Sequence, residues 1–139
     1  MMTGPRSLTW AADYPTPGTA LVIKRFLAVV DQGNWSPGFG MYTLRPRSGL
    51  ICGGLAFYGK PDRDGRVEVG YGLAPSGRGQ GLMADAVRAA VHWAFETGRV
   101  RRVWAGVDEG NFASIATLER SSFTRCEDNE FGQVYERWK

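Results

Sequence analysis

Residues 66–97, RVEVGYGLAPSGRGQGLMADAVRAAVHWAFET, place a strand pattern, a glycine-rich turn and a helix pattern in immediate succession. Val67, Val69, Tyr71 and Leu73 alternate with Glu68, Gly70 and Gly72, the period of two of a half-buried strand. The first set can pack on a core. The second carries one carboxylate and then two missing side chains, and glycine inside a strand marks a bulge or the close approach of a backbone or a ligand.

Gly77, Gly79 and Gly81 occupy alternate positions of the turn at 74–81, where they permit positive φ and expose backbone N–H groups. A helix follows. Leu82, Met83, Ala86, Val87, Ala90, Val91, Ala94 and Phe95 recur as adjacent pairs every four residues, which is one helical face. Asp85, Arg88, His92 and Glu96 take the other face, and Gly98 supplies a stop. A glycine-rich loop feeding a helix N-terminus is an anion site, because free amides point outward and the dipole favours negative charge. Arg78 adds a mobile cation, so a phosphate or pyrophosphate is the natural ligand. A P-loop is excluded, since no Lys follows these glycines. A dinucleotide fingerprint fails as well. It needs G-x-G-x-x-G with an acidic residue about twenty positions on, whereas the spacing here is Gly77-x-Gly79-x-Gly81 and the next strand ends late, at Asp108.

The rest of the chain builds around this unit. Thr16-Pro17 reads as a helix N-cap followed by Pro at the first helical position. The apolar run LVIKRFLAVV makes one helix that Gly33-Asn34 ends. Residues 39–45 and 50–58 read as strands joined by Pro46-Arg47-Ser48-Gly49, an antiparallel hairpin, and a turn at 60–65 leads into the Glu68 strand. The helix after Gly81 crosses to a strand at 102–107, and strand–helix–strand implies a parallel pair with a right-handed crossover. A second helix runs from about Phe112 to Ser121, and two strands flank the turn at 128–132. Leu8-Thr9-Trp10-Ala11 fits a short first strand. The fold class is α/β (α+β): a mixed, mostly antiparallel sheet with a central parallel pair, flanked by helices.

Pro75-Ser76-Gly77-Arg78-Gly79-Gln80-Gly81-Leu82-Met83 resembles the acyl-CoA pyrophosphate loop of the GNAT superfamily of N-acetyltransferases. Its flanks, Glu68-Val69-Gly70-Tyr71-Gly72-Leu73 before it and Asn111-Phe112-Ala113-Ser114-Ile115 with Leu118-Glu119-Arg120 and Phe123 after it, are similar to the RimJ/RimL-like branch. The resemblance covers roughly residues 39–137 and implies a single domain over 1–139 whose N-terminal helical region is abbreviated. It implies that the parallel pair splays and that the pantetheine arm of acetyl-CoA enters the gap, with Gly70 and Gly72 leaving it room. The pyrophosphate would lie on the amides of Arg78, Gly79, Gln80, Gly81, Leu82 and Met83.

Acyl transfer to an amine needs a base for the ammonium, a polarised carbonyl, a protonated leaving thiolate and alignment of two substrates. Backbone amides near Tyr71, Gly72 and Leu73 are the candidate contacts to the arm, with those of Tyr71 and Gly72 as oxyanion donors. Glu68 is the candidate base, at the position where the resemblance places a catalytic Glu; the alternative is a carboxylate paired with an Arg of the neighbouring strand. Asn111 reads as the cap of the second helix with Ser114 at its third position. The resemblance adds that Asn111 binds the pantetheine arm and that Ser114 relays a proton to the sulfur. Two positions depart from the family pattern: Leu118 where many members carry a Tyr acid, and Ser122 where a Gly is usual. Positive φ at Ser122 would cost about 1 kcal/mol. No metal site is expected. His92 reads as solvated and Cys52 as core; Trp10, Tyr14, Trp35 and Phe39 fit either an acceptor-pocket wall or simple packing.

The function expected is acetyl-CoA-dependent N-acetylation of a primary amine, a protein N-terminus or a small molecule, by direct attack in a ternary complex. A non-catalytic acyl-CoA-binding module and, more distantly, a basic nucleic-acid-binding protein stay open. The net charge of +3 comes from fourteen Arg and three Lys against 14 acidic residues, and Arg45, Arg47, Arg99, Arg101 and Arg102 fit a basic patch. A coenzyme with three phosphates calls for positive potential as well as a nucleic acid does. No apolar run approaches the roughly twenty residues of a membrane span, and the start MMTGPRSLTW lacks the apolar segment of a signal peptide. Cys52 and Cys126 form no disulfide framework, which fits a cytoplasmic protein. The partners expected are acetyl-CoA and an amine acceptor, with neither membrane nor nucleic acid, and a homodimer left open.

Overall fold

The computed structural model describes residues 9–47, 49–130 and 132–139. Three helices and six strands follow in the order α1 (Pro17–Asp31), β1 (Met41–Leu44), β2 (Gly53–Phe57), β3 (Arg66–Leu73), α2 (Leu82–Glu96), β4 (Arg102–Val107), α3 (Phe112–Arg120), β5 (Thr124–Arg125) and β6 (Gln133–Trp138). The strands make one sheet in the order β1-β2-β3-β4-β6-β5. Its one parallel pair is β3–β4, bridged by α2, since parallel neighbours need a crossover rather than a tight turn. The mixed architecture expected from the sequence is the one found. Several elements are shorter than the pattern implies: β1 and β2 cover 41–44 and 53–57 of the expected 39–45 and 50–58. Trp10 makes an isolated bridge to Ile51, because the chain turns at Ala11, whose carbonyl accepts from Tyr14 N–H; Leu8 lies outside the described residues, as do Ser48 and Phe131 of the two turns. β5 stops at Arg125, where the guanidinium folds onto Asp128 at 2.8 Å.

Each face of the sheet has its own cover. α2 lays Met83, Val87, Val91 and Ala94 on Leu55, Phe57, Val67, Val69 and Val103, all buried. Burial of each such side chain contributes about 1.5–3 kcal/mol. Trp93 meets Phe39 at 4.9 Å between ring centroids and Phe57 at 5.8 Å, so Phe39 is core. α3 joins this face through fully buried Leu118. The opposite face of β2 and β3 is covered by α1, which begins at its Thr16 cap as expected and buries Thr19 and Val22.

The glycines of β3 make room for Tyr58 and for α1. A Cβ on Gly70 would collide with the Tyr58 hydroxyl, and one on Gly72 would meet Thr19, including its backbone N at 3.0 Å. The space expected for a ligand on this face is therefore taken by protein. At the end of α3, Ser122 keeps the left-handed conformation at φ 66° despite its side chain. Among the described residues, no helix is long and apolar enough to cross a membrane, and no group of His, Cys, Asp and Glu could hold a metal ion. Both cysteines are free.

Candidate active site

The sheet is open at its parallel pair. β3 and β4 register as Arg66 with Arg102, Val67 with Val103 and Glu68 with Trp104, and there the pairing stops. β3 continues to Leu73, held on its other side by β2 through the register Gly53 with Leu73 to Phe57 with Val69. Glu68 carbonyl and Ala74 N–H both bond the β2 side. Backbone groups alternate in direction along a strand, so those of Tyr71 and Leu73 face the opening. Of the two amides expected as oxyanion donors, Tyr71's faces the gap and Gly72's is turned to β2; Leu73's takes the second place. The Leu73 carbonyl is touched by the Arg78 guanidinium at 3.4 Å.

The opening leads into a cleft of about 500 Å³ lined by Tyr71, Gly72, Leu73, residues 77–79 and 81–83, and one side of α3. Gly81 is the N-cap of α2, in the left-handed conformation and with no side chain capping the helix. The first amides of a 15-residue helix are therefore free at the cleft. Gly79 and Gly81 have φ of 79° and 72°, and nothing stands within 4 Å of where a Cβ would be. That geometry fits a pyrophosphate approaching the backbone. Gly77 has a different role, since a Cβ there would strike the Cys52 sulfur. Gln80 lines a second cavity, beside Asp13, Pro46 and Cys52, rather than this cleft. The loop is tied down by Asp13, which accepts from Ser76 N–H at 2.8 Å and from its hydroxyl at 2.6 Å.

Glu68 stands at the closed end of the split, on the face covered by α1. Its Oε1 accepts from Arg25 at 2.6 Å, and its side chain is 12% exposed. Arg25 also lies 4.1 Å above the Tyr58 ring. Burial pushes the Glu68 carboxyl above its ordinary range, against the pull of Arg25 and, more weakly, Arg66. A carboxylate so placed is a better base than an exposed one. The partner proves to be on a helix, not on a neighbouring strand.

Ser114 stands on the other face. Asn111 caps α3 by accepting from Ser114 N–H at 3.3 Å. The Ser114 Oγ lies 2.7 Å from the Tyr71 hydroxyl, whose single proton has the Ser114 carbonyl at 3.3 Å as its alternative acceptor. Burial pushes the Tyr71 phenol up to about 12, so it is neutral at any working pH. The alternation along β3 put Tyr71 in the set that can pack on a core, but only the tertiary fold shows that its hydroxyl reaches Ser114.

Other cleft residues went unnoticed in the sequence. Arg120 lines the cleft together with Arg78, giving it two cations that suit a phosphorylated ligand. Thr16, read as a cap, also borders the cleft because α1 starts beside β3. Leu82 and Met83 line it through the first turn of α2. His92 is exposed and paired with Glu96 at 2.6 Å, away from the site. Trp10 stacks on Tyr14 at 5.2 Å, and Trp35 is 47% exposed.

A mixed sheet split at its one parallel pair, with a glycine loop and a bare helix N-terminus at the mouth of the split, is an acyltransferase fold. The chain belongs to the GNAT acetyltransferase domain family, whose model matches residues 1–124. The family's acetyl donor is acetyl-CoA. YjdG of Bacillus subtilis (strain 168), an uncharacterized N-acetyltransferase, is 27% identical over 127 residues, which is 91% of this chain and 74% of YjdG. A crystal structure of an acetyltransferase from Agrobacterium tumefaciens str. C58 superimposes with a TM-score of 0.66 at 25% identity, covering 91% of this chain and 74% of that one. The fold is also that of the microcin C7 self-immunity acetyltransferase MccE, solved with acetyl-CoA and AMP, at a TM-score of 0.61 and 18% identity over 86% of this chain and 69% of MccE.

Proposed function

We propose that this protein transfers an acetyl group from acetyl-CoA to a primary amine, by direct attack in a ternary complex. The carrying observation is the split itself: the β3–β4 register ends at Glu68, and β3 runs on to Leu73 with Tyr71, Gly72 and Leu73 lining the cleft that ends in the glycine loop. Acetyl-CoA supplies the acetyl group as a thioester. The amides of Arg78, Gly79, Gly81, Leu82 and Met83 hold its pyrophosphate, with Arg78 and Arg120 adding charge in the cleft. Tyr71 and Leu73 amides pair with the arm and polarise the carbonyl. Glu68 takes the ammonium proton, and Ser114 hydrogen-bonds the leaving sulfur. Asn111 orients Ser114 and borders the arm.

The motifs around Asn111 and Glu68 support placement in the RimJ/RimL-like branch and an acceptor that is a protein N-terminus or a small amine. The free thiols support a cytoplasmic setting. The Arg25–Glu68 ion pair favours a second reading, a non-catalytic acyl-CoA-binding module, because it occupies the base. Incubation with acetyl-CoA and a panel of N-terminal peptides and small amines, followed by mass spectrometry, separates the two. A gain of one acetyl group on an amine supports the transferase. Bound CoA with no acetylated product supports the module.

A further inference from the structure

We propose that Tyr71 is a positioning residue for acyl transfer: its hydroxyl donates across the split to the Ser114 Oγ, leaving the Ser114 proton directed at the leaving sulfur. This rests on the cleft being the acetyl-CoA site. The contact joins β3 to α3 over 43 residues of sequence at 2.7 Å, the better of the two bonds open to the phenol. The competing acceptor, the Ser114 carbonyl at 3.3 Å, belongs to the hydrogen-bond ladder of α3.

The other hydroxyls bordering the cleft are committed elsewhere. Thr117 donates to the Ala113 carbonyl at 3.0 Å. Thr16 serves as the α1 cap, accepting from Thr19 N–H at 3.1 Å. Leu118, one turn beyond Ser114, is fully buried and offers no polar group. Ser114 is thus the hydroxyl available to the sulfur, and its side chain has three staggered positions to choose from. Asn111 fixes its backbone, and Tyr71 selects its rotamer and fills one lone pair. A buried, neutral phenol is a standing donor for that purpose.

During transfer the amine nitrogen bonds to the acetyl carbon and the C–S bond breaks. The bonding pair passes to sulfur, and the nitrogen's proton passes to Glu68. Ser114 hydrogen-bonds the sulfur through this change, and the sulfur takes its proton from water as CoA leaves. Tyr71 exchanges no proton.

The test uses CoA alone as probe, labelled with carbon-13 beside the sulfur, and follows the thiol titration by NMR when bound to the full-length chain. The ionisable groups facing the split are Arg78 and Arg120 in the cleft and Glu68 on the far face, and none is altered in Tyr71→Phe or Ser114→Ala. Each variant raises the pKa of the bound thiol by about half to one pH unit, and the double variant raises it no further than Ser114→Ala does. In turnover, Tyr71→Phe lowers kcat about tenfold with the acetyl-CoA KM unchanged. An unchanged thiol titration in either single variant overturns the proposal, and so do effects that add. The expected titration in a protein that acetylates no amine keeps the Tyr71–Ser114–sulfur arrangement but removes the transferase reading and, with it, the role of Tyr71 in transfer. Failure to bind CoA overturns both.

Discussion

Glu68 and Tyr71, three residues apart on β3, turn to opposite faces of the sheet: Glu68 meets Arg25 of α1 at 2.6 Å, and Tyr71 meets Ser114 of α3 at 2.7 Å. Between them the β3–β4 pairing ends, at the Glu68–Trp104 pair. In the proposed transfer, a thioester lying in the split has the base, Glu68, on one face and the leaving-group donor, Ser114, on the other. An odd spacing along one strand is enough to create this division, because side chains alternate.

The loop prediction concerns Gly81. Its φ of 72° and the open space around it mean that Gly81→Val strains the backbone and sends a branched side chain into the cleft. The strain costs about 1–2 kcal/mol of stability, which leaves the domain folded. CoA affinity measured by calorimetry falls at least tenfold. Unchanged affinity in the folded variant removes the pyrophosphate from this loop.

Arg25 sets the pH at which Glu68 becomes available. Burial raises the carboxyl's pKa, and the bond and charge of Arg25 lower it, with Arg66 assisting. A base acts when deprotonated, so the rate falls as pH drops through the folded-state value. Removing the guanidinium in Arg25→Gln removes a lowering influence, so the acidic limb of kcat/KM moves to higher pH. A limb that stays in place, or moves down, separates Arg25 from the ionisation that governs the rate.

Tyr71 carries a stability consequence at high pH. Its folded value is about 12 against an ordinary 10. The folded state therefore holds the proton more tightly than the unfolded state. The associated stability is fully present below pH 10 and lost as pH rises from 10 to 12, on the order of 2 kcal/mol. Urea denaturation across this window shows the loss in the wild type and a correspondingly smaller one in Tyr71→Phe. Identical slopes in the two proteins contradict the burial of this phenol.

Ser122 gives the converse case. It holds φ 66° at the end of α3, a conformation that a β-carbon disfavours. Ser122→Gly raises the unfolding free energy by about 1 kcal/mol, read as a higher urea midpoint with an unchanged slope. A lower midpoint means that the Ser122 side chain makes a compensating contact.

The sequence showed what is periodic and hid what is tertiary. The β3–loop–α2 unit was legible because alternation, three glycines and a helical face follow one another without interruption. Thr16 and Asn111 were legible as caps for the same local reason. Gly70 and Gly72 announced a close approach, yet nothing local says whether a ligand or Tyr58 and α1 fills the space. Which amides face the split follows from the pairing of β3 with β2, so Gly72 and Leu73 exchange roles once the register is known. The partners of Glu68 and Ser114 lie 43 residues away in each case, beyond any short-range pattern. Arg120 carries no motif and gains its place only from the packing of α3 beside the loop.

The most direct measurement of the central claim is the pH–rate profile of acetyl transfer by wild type and Glu68→Gln at saturating acetyl-CoA. The amide keeps the shape of the carboxylate and cannot accept the proton. Wild-type kcat rises with pH through one ionisation above the ordinary carboxylate range, as the burial of Glu68 requires. Glu68→Gln loses that limb, and its kcat falls by about 10²–10⁴-fold with CoA affinity unchanged. A variant that keeps both the limb and the rate contradicts the assignment of Glu68 as the base on the α1 side of the split.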